Sequence, residues 1–90
     1  PDLQRWAEAV ERHDCRFLGQ IQDSGRGRHE RGRTPRAIGA SSLPDDLSWT
    51  VPHALSTADV ERRIEEMADC AQRLRRAGFS GVELSAGHGH

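Results

Sequence analysis

The sequence predicts an α/β fold of α-β-α-β order, about a quarter of an eight-stranded (β/α)8 TIM barrel. Three observations carry that prediction. A helical stripe with both of its ends marked runs over residues 57–77. Two short apolar runs, 16–22 and 81–85, stand on either side of it. A strand–helix–strand order then calls for two parallel strands joined by a right-handed crossover. Two parallel strands alone leave both edges open and one face poorly covered, whereas parallel sheets are normally buried. The ninety residues, 34% hydrophobic and 4% aromatic, also make a thin core for a free-standing domain. Residues 1–90 are therefore expected to be an internal fragment of a single barrel domain, and the lack of an initiator Met agrees with that.

The elements follow in order. Asp2 can cap a first helix, expected over 2–14, in which Leu3, Trp6, Ala7 and Val10 form one apolar stripe. Arg16-Phe-Leu-Gly-Gln-Ile-Gln22 reads as a strand buried on both faces. Gln20 sits inside it, and a buried amide must either pair within the protein or face a ligand. Residues 23–55 hold four glycines and three prolines and read as one long loop, a length that is uncommon in a compact domain and often functional. Ser56-x-x-Asp59 resembles a capping box with Asp in place of Glu. Val60, Ile64, Met67, Ala68, Ala71 and Leu74 make the apolar stripe of the second helix, with charged residues on its outer face. Arg75 and Arg76 suit the negative end of the helix dipole, and Gly78 suits the position just past the helix. Val82-Glu-Leu84 forms the core of the second strand, expected over 81–85.

Composition narrows the function classes. A net charge of −1 gives no overall attraction to nucleic acid or to a membrane surface. No apolar run approaches the ~20 residues of a membrane span, and the first residues have no signal-peptide pattern. Cys15 and Cys70 lack metal-ligand spacing and are expected as reduced, partly buried thiols of a cytoplasmic protein. Arg26-Gly-Arg-His-Glu-Arg-Gly-Arg-Thr-Pro-Arg36 packs five arginines into eleven positions, so a polyanion (RNA) binding loop is the alternative reading. No aromatic residues interleave with those arginines, which weakens it. Metal capture by His88-x-His90 falls short of the three or four ligands a site needs.

Reactive side chains gather where the strands end, which is where α/β proteins keep their chemistry. Gln20-Ile-Gln-Asp-Ser-Gly-Arg26 leaves the first strand and Glu83-Leu-Ser-Ala-Gly-His-Gly-His90 leaves the second. The pair resembles the old yellow enzyme family of NADH:flavin oxidoreductases. That family has a strand reading Gln-Leu-x-His-x-Gly-Arg and a later one reading Gly-Phe-Asp-Gly-Val-Glu-Ile-His-x-x-His/Asn-Gly-Tyr. Pro52-His-Ala-Leu-Ser56 is similar to the family's Pro-His-x-Leu-Thr helix entry, and Ala77-Gly-Phe-Ser-Gly-Val-Glu83 follows its second strand.

The resemblance implies an FMN-binding barrel that exchanges hydride between flavin and an activated alkene or an amine, with NAD(P)H as a reductant. It places Gln20 on the pyrimidine edge of the flavin and His88 on the substrate's electron-withdrawing oxygen or, in the amine-oxidising branch, beside the substrate. Glu83 falls on the family's strand acid, a structural position. Three positions depart from the pattern: Ser85 replaces the first His of the His-x-x-His/Asn pair, His90 stands at the proton-donating Tyr, and Asp23 replaces the His of the first motif. Such departures resemble the branch of dienoyl-CoA reductases and amine dehydrogenases or demethylases, whose iron–sulfur cluster would be bound outside this segment. The implied partners are flavin, a small-molecule substrate and the remainder of the barrel, and the fragment alone is expected to be inactive.

Overall fold

Ser56 and Asp59 set the start of the principal helix. The Asp59 N–H donates to Ser56 Oγ at 3.2 Å, and the Ser56 N–H donates back to Asp59 Oδ2 at 3.1 Å, so two of the helix's orphan donors are met reciprocally. The Ser56 hydroxyl also donates to the same Asp59 oxygen at 2.6 Å. At the other end Gly78 has φ 100°, the Phe79 N–H reaches Leu74 O at 3.1 Å and the Gly78 N–H reaches Arg75 O at 3.0 Å. That pair of bonds is a Schellman motif, which needs a residue that tolerates positive φ just beyond the helix.

The computed structural model describes residues 2–28, 36–47 and 49–90. Helix α1 spans Asp2–Glu11, strand β1 Leu18–Ile21, strand β2 Ile38–Gly39, strand β3 His53–Ala54, helix α2 Thr57–Arg76 and strand β4 Gly81–Leu84. Short 3-10 turns cover Gly25–Gly27 and Gly87–Gly89. The fold is α/β. β1 and β4 pair in parallel with Gln20 opposite Glu83, and the Ser85 N–H continues the ladder to Ile21 O at 3.0 Å.

Contacts divide the chain into two units: Pro1–Gln22 with Arg63–Ser85, and Asp23–Arg62 with Ala86–His90. In the first, Phe17 and Phe79 stack with centroids 4.6 Å apart; Leu74 and Phe79 lie over the buried Gly19, and Ala7 is fully buried. Glu11 ties three segments of this unit together. Its Oε1 accepts the Phe17 N–H at 2.8 Å and the Ser80 hydroxyl, while its Oε2 lies 3.3 Å from Arg16 Nη1. The Ser80 hydroxyl first, then the Phe17 amide, hold the Glu11 carboxyl below its ordinary value. In the second unit, Ala37 and Pro52, the residues just before the parallel strands β2 and β3, are buried.

Several expectations are corrected. The 23–55 stretch is not loop throughout, because β2 and β3 pair at Ile38↔His53 and Gly39↔Ala54. Helix α1 ends at Glu11, not 14, since Asp14 takes φ 55° and the Glu11 side chain turns back toward Phe17. Within these ninety residues only one face of β1 is covered: Gly19 is buried beside Leu74 and Phe79, whereas Leu18 is 54% exposed and Gln20 is exposed. No residue of α2 is fully buried, and Val60 and Ile64 are exposed; the stripe packs only toward its C-terminal half. Cys15 and Cys70 are exposed free thiols, one in the turn after α1 and the other on the outer side of α2.

Candidate functional site

Each unit holds one cluster of polar groups. On the strand pair itself, Gln20 Nε2 donates to Glu83 Oε1 at 2.6 Å. The two residues are register partners, so their side chains emerge on the same face at cross-strand contact distance. Gln20 is therefore an exposed amide partnered by Glu83, and not a buried one. A carboxamide has two N–H donors and a carbonyl; the bond to Glu83 takes one donor and orients the rest. Ser85 is exposed, with its backbone N–H on β1.

In the second unit, Asp23 Oδ1 accepts the Gly25 N–H at 2.8 Å and Arg28 Nη2 at 3.3 Å, an Asx turn that starts the Gly25–Gly27 helical turn. Arg26 Nη1 donates to the Pro44 carbonyl at 3.0 Å, and its Nε is buried without a partner. His88 adopts φ 61°, a left-handed conformation that is uncommon outside glycine and in which Asn, Asp and His are enriched. Its ring lies 5.7 Å from that of His90, centroid to centroid. His90 Nε2 lies 3.5 Å from Oδ1 of the buried Asp45. Arg26, Asp45, Asp46, Leu47, His88 and His90 line a cleft of about 380 Å³, within the size range of small-molecule sites.

The structure thus brings His88 and His90 together, pairs Gln20 with Glu83, and places Ser85 on the strand ladder. Asp45 was not legible as a site residue, because Pro44-Asp-Asp-Leu47 reads as an ordinary turn. Another cleft of about 390 Å³ is lined by Ala71, Gln72, Arg75 and Phe79–Val82; with no acid, imidazole or thiol it offers no comparable chemistry. Residues 29–35, the middle of the arginine-rich loop, lie outside the described residues. Of its flanking arginines, Arg28 is paired with the Asp23 carboxylate and Arg26 donates to the Pro44 carbonyl, so one of the two charges is offset. Among the described residues no cluster of three or more His, Cys, Asp or Glu could hold a metal, and no helix is long and apolar enough to cross a membrane.

The sequence model of the NADH:flavin oxidoreductase / NADH oxidase family matches residues 1–90. The chain belongs to this family. Among its relatives are a metal reductase of Desulforamulus reducens, 30% identical over the whole chain, and an NADH-dependent flavin oxidoreductase of Aspergillus parasiticus, 35% identical over 93% of it. A multifunctional alkene reductase/demethylase of Caballeronia cordobensis is 32% identical over the whole chain. The chain spans 14%, 20% and 13% of those three proteins respectively. Membership in the flavin oxidoreductase family agrees with the motif order around Gln20, Pro52 and Gly78–His90.

Proposed function

We propose that this chain is part of an FMN-dependent oxidoreductase that exchanges hydride between flavin and an activated alkene or an amine, with NADH or NADPH as reductant. The family match over residues 1–90 carries the reading. The parallel β1–β4 pair on either side of α2 supports a quarter of a (β/α)8 barrel as its architecture. The exposed thiols of Cys15 and Cys70 suit a reducing compartment, in keeping with a cytoplasmic enzyme. A relative whose name joins alkene reduction to demethylation supports keeping both substrate classes.

The donor set on this chain fits a flavin ring edge. That edge alternates N–H and carbonyl groups, and the Gln20 carboxamide offers both kinds of partner on a group oriented by Glu83. FMN, when bound, supplies the hydride chemistry, while the protein supplies orientation and hydrogen bonds. In this reading Gln20 holds the ring edge, His88 takes the substrate's electron-withdrawing oxygen, and His90 holds the proton delivered to the substrate carbon. Ser85, standing where the family has the first His of the clamping pair, offers a hydroxyl in place of an imidazole. A cluster-bearing branch would place its iron–sulfur ligands outside this segment, and the ninety residues by themselves should turn nothing over.

The test is the full-length protein carrying this segment. It should purify yellow, and anaerobic NADH or NADPH should bleach its flavin band. Gln20→Ala should weaken FMN binding by about 5- to 30-fold, the loss of one or two ordinary hydrogen bonds. A colourless protein that takes up no FMN would refute the proposal.

A further inference from the structure

Glu83, a structural acid by its place in the family pattern, stands beside the side chain assigned to the flavin edge. Gly19 lies under Leu74 of α2 and Phe79, and successive residues of a strand point to opposite faces. Gln20 therefore stands on the face of β1 turned away from α2, with its register partner Glu83 next to it on β4. There Gln20 Nε2 donates to Glu83 Oε1 at 2.6 Å, a short bond of the kind a charged acceptor makes. Among the described residues neither side chain has another hydrogen-bond partner. The strands do not need this pair to stay together. Backbone bonds from the Ser80 N–H to Phe17 O and from the Ser85 N–H to Ile21 O extend the β1–β4 ladder at both ends, and both side chains are exposed.

We infer that Glu83 is the positioning residue for Gln20: its carboxylate fixes the amide end for end and so decides which groups Gln20 shows to the flavin. An ionised carboxylate only accepts. Turning the amide over would set its carbonyl oxygen against a carboxylate oxygen, two acceptors with no hydrogen between them. One N–H and the carbonyl are thus left, in a fixed order, for a ring edge that alternates donors and acceptors. An unheld amide would sample both orders and would have to be immobilised as the ring binds, which lowers affinity. Glu83 touches no flavin in this scheme and acts through Gln20. Only the consequence for FMN binding rests on the proposed flavin contact of Gln20.

Glu83→Ala in the full-length protein tests the inference twice. In FMN-free protein labelled with 15N-glutamine, the Gln20 side-chain amide is assigned by its disappearance in Gln20→Ala. One of its two hydrogens should be shifted downfield by the carboxylate in wild type, and that shift should be lost in Glu83→Ala. FMN should bind about 2- to 10-fold more weakly to Glu83→Ala, the effect of immobilising one long side chain. In a Gln20→Ala background the same substitution should cost nothing further. Glu83→Leu, which keeps most of the volume and has no acceptor, should repeat both changes.

A Gln20 amide signal unchanged by Glu83→Ala overturns the inference whatever the affinity for FMN. So does wild-type FMN affinity in Glu83→Leu, and so does an equal loss from Glu83→Ala with and without Gln20. The amide is read without flavin. Wild-type FMN affinity in Gln20→Ala would therefore sink the proposed flavin contact while leaving the amide measurement intact.

Discussion

Gly78→Ala tests the junction between α2 and β4. Gly78 sits at φ 100°, beyond the left-handed well near +57°. A Cβ added there would stand 3.4 Å from Ala7 Cβ, an ordinary contact, so the expected penalty is torsional and not a clash. A left-handed alanine costs about 1–2 kcal/mol relative to glycine, and φ 100° lies further out than that reference. Relaxing the angle would stretch the Gly78→Arg75 or Phe79→Leu74 bond, each worth about 1 kcal/mol. The two routes lead to a similar loss, about 2 kcal/mol. For a barrel several times this length the urea dependence exceeds the ~1–3 kcal/mol/M of small proteins, so the unfolding midpoint of the full-length protein should fall by less than about 1 M.

Gly87→Ala is the matched control. Nothing lies within 4 Å of a Cβ at Gly87, and its φ is not positive, so stability should change by less than about 0.5 kcal/mol and the midpoint should barely move. Gly78→Asn should fall between the two, because Asn tolerates the left-handed region better than alanine. Equal midpoints for Gly78→Ala and Gly87→Ala would refute the Schellman account of this helix end.

Two further outcomes follow from the helix ends. Because the Glu11 carboxyl titrates below its ordinary value of 4.5 in the folded chain, its contribution is complete above that value and is lost as pH falls through the lower folded value. Denaturant melts from pH 7 to 3 should therefore show a shallower acid limb for Glu11→Gln, and an unchanged limb would contradict the role given to Glu11. Asp59, lowered chiefly by the Ser56 hydroxyl, adds to the same limb with the same sign. Ser56→Ala removes the Oγ acceptor of the Asp59 N–H and should cost about 1 kcal/mol, measured by the same melts at neutral pH.

What could be read from the sequence was whatever is written locally. Ser56, Asp59 and Gly78 mark α2 because caps act within a turn of the helix, and the parallel strands follow from the order of elements. Glu11 could not be read that way, since its partner Ser80 lies 69 residues on and a Glu at a helix end reads as a solvated charge. The β2–β3 pair is two residues long, too short for any period to show among glycines and prolines. Gln20 was read as buried because its neighbours are apolar, but with the covering of β1 centred on Gly19 it is exposed beside Glu83. For the site, motif order marked Gln20, Ser85, His88 and His90. Asp45 becomes visible only when residues 45 apart in sequence meet at His90.

That meeting also links two of the departures from the family pattern. Asp23, where the family has His, accepts the Gly25 N–H and holds Arg28, and so shapes the turn that carries Gly27. Gly27 is the floor on which the His90 ring rests. A His at position 23 has no short carboxylate to close that Asx turn, and a different turn would present a different surface to residue 90. The substitutions at 23 and 90 therefore belong to one local arrangement, with Asp45 supplying its second wall. On this account, a Tyr at position 90 would meet the Gly25–Gly27 turn and the Asp45 carboxylate that surround the imidazole.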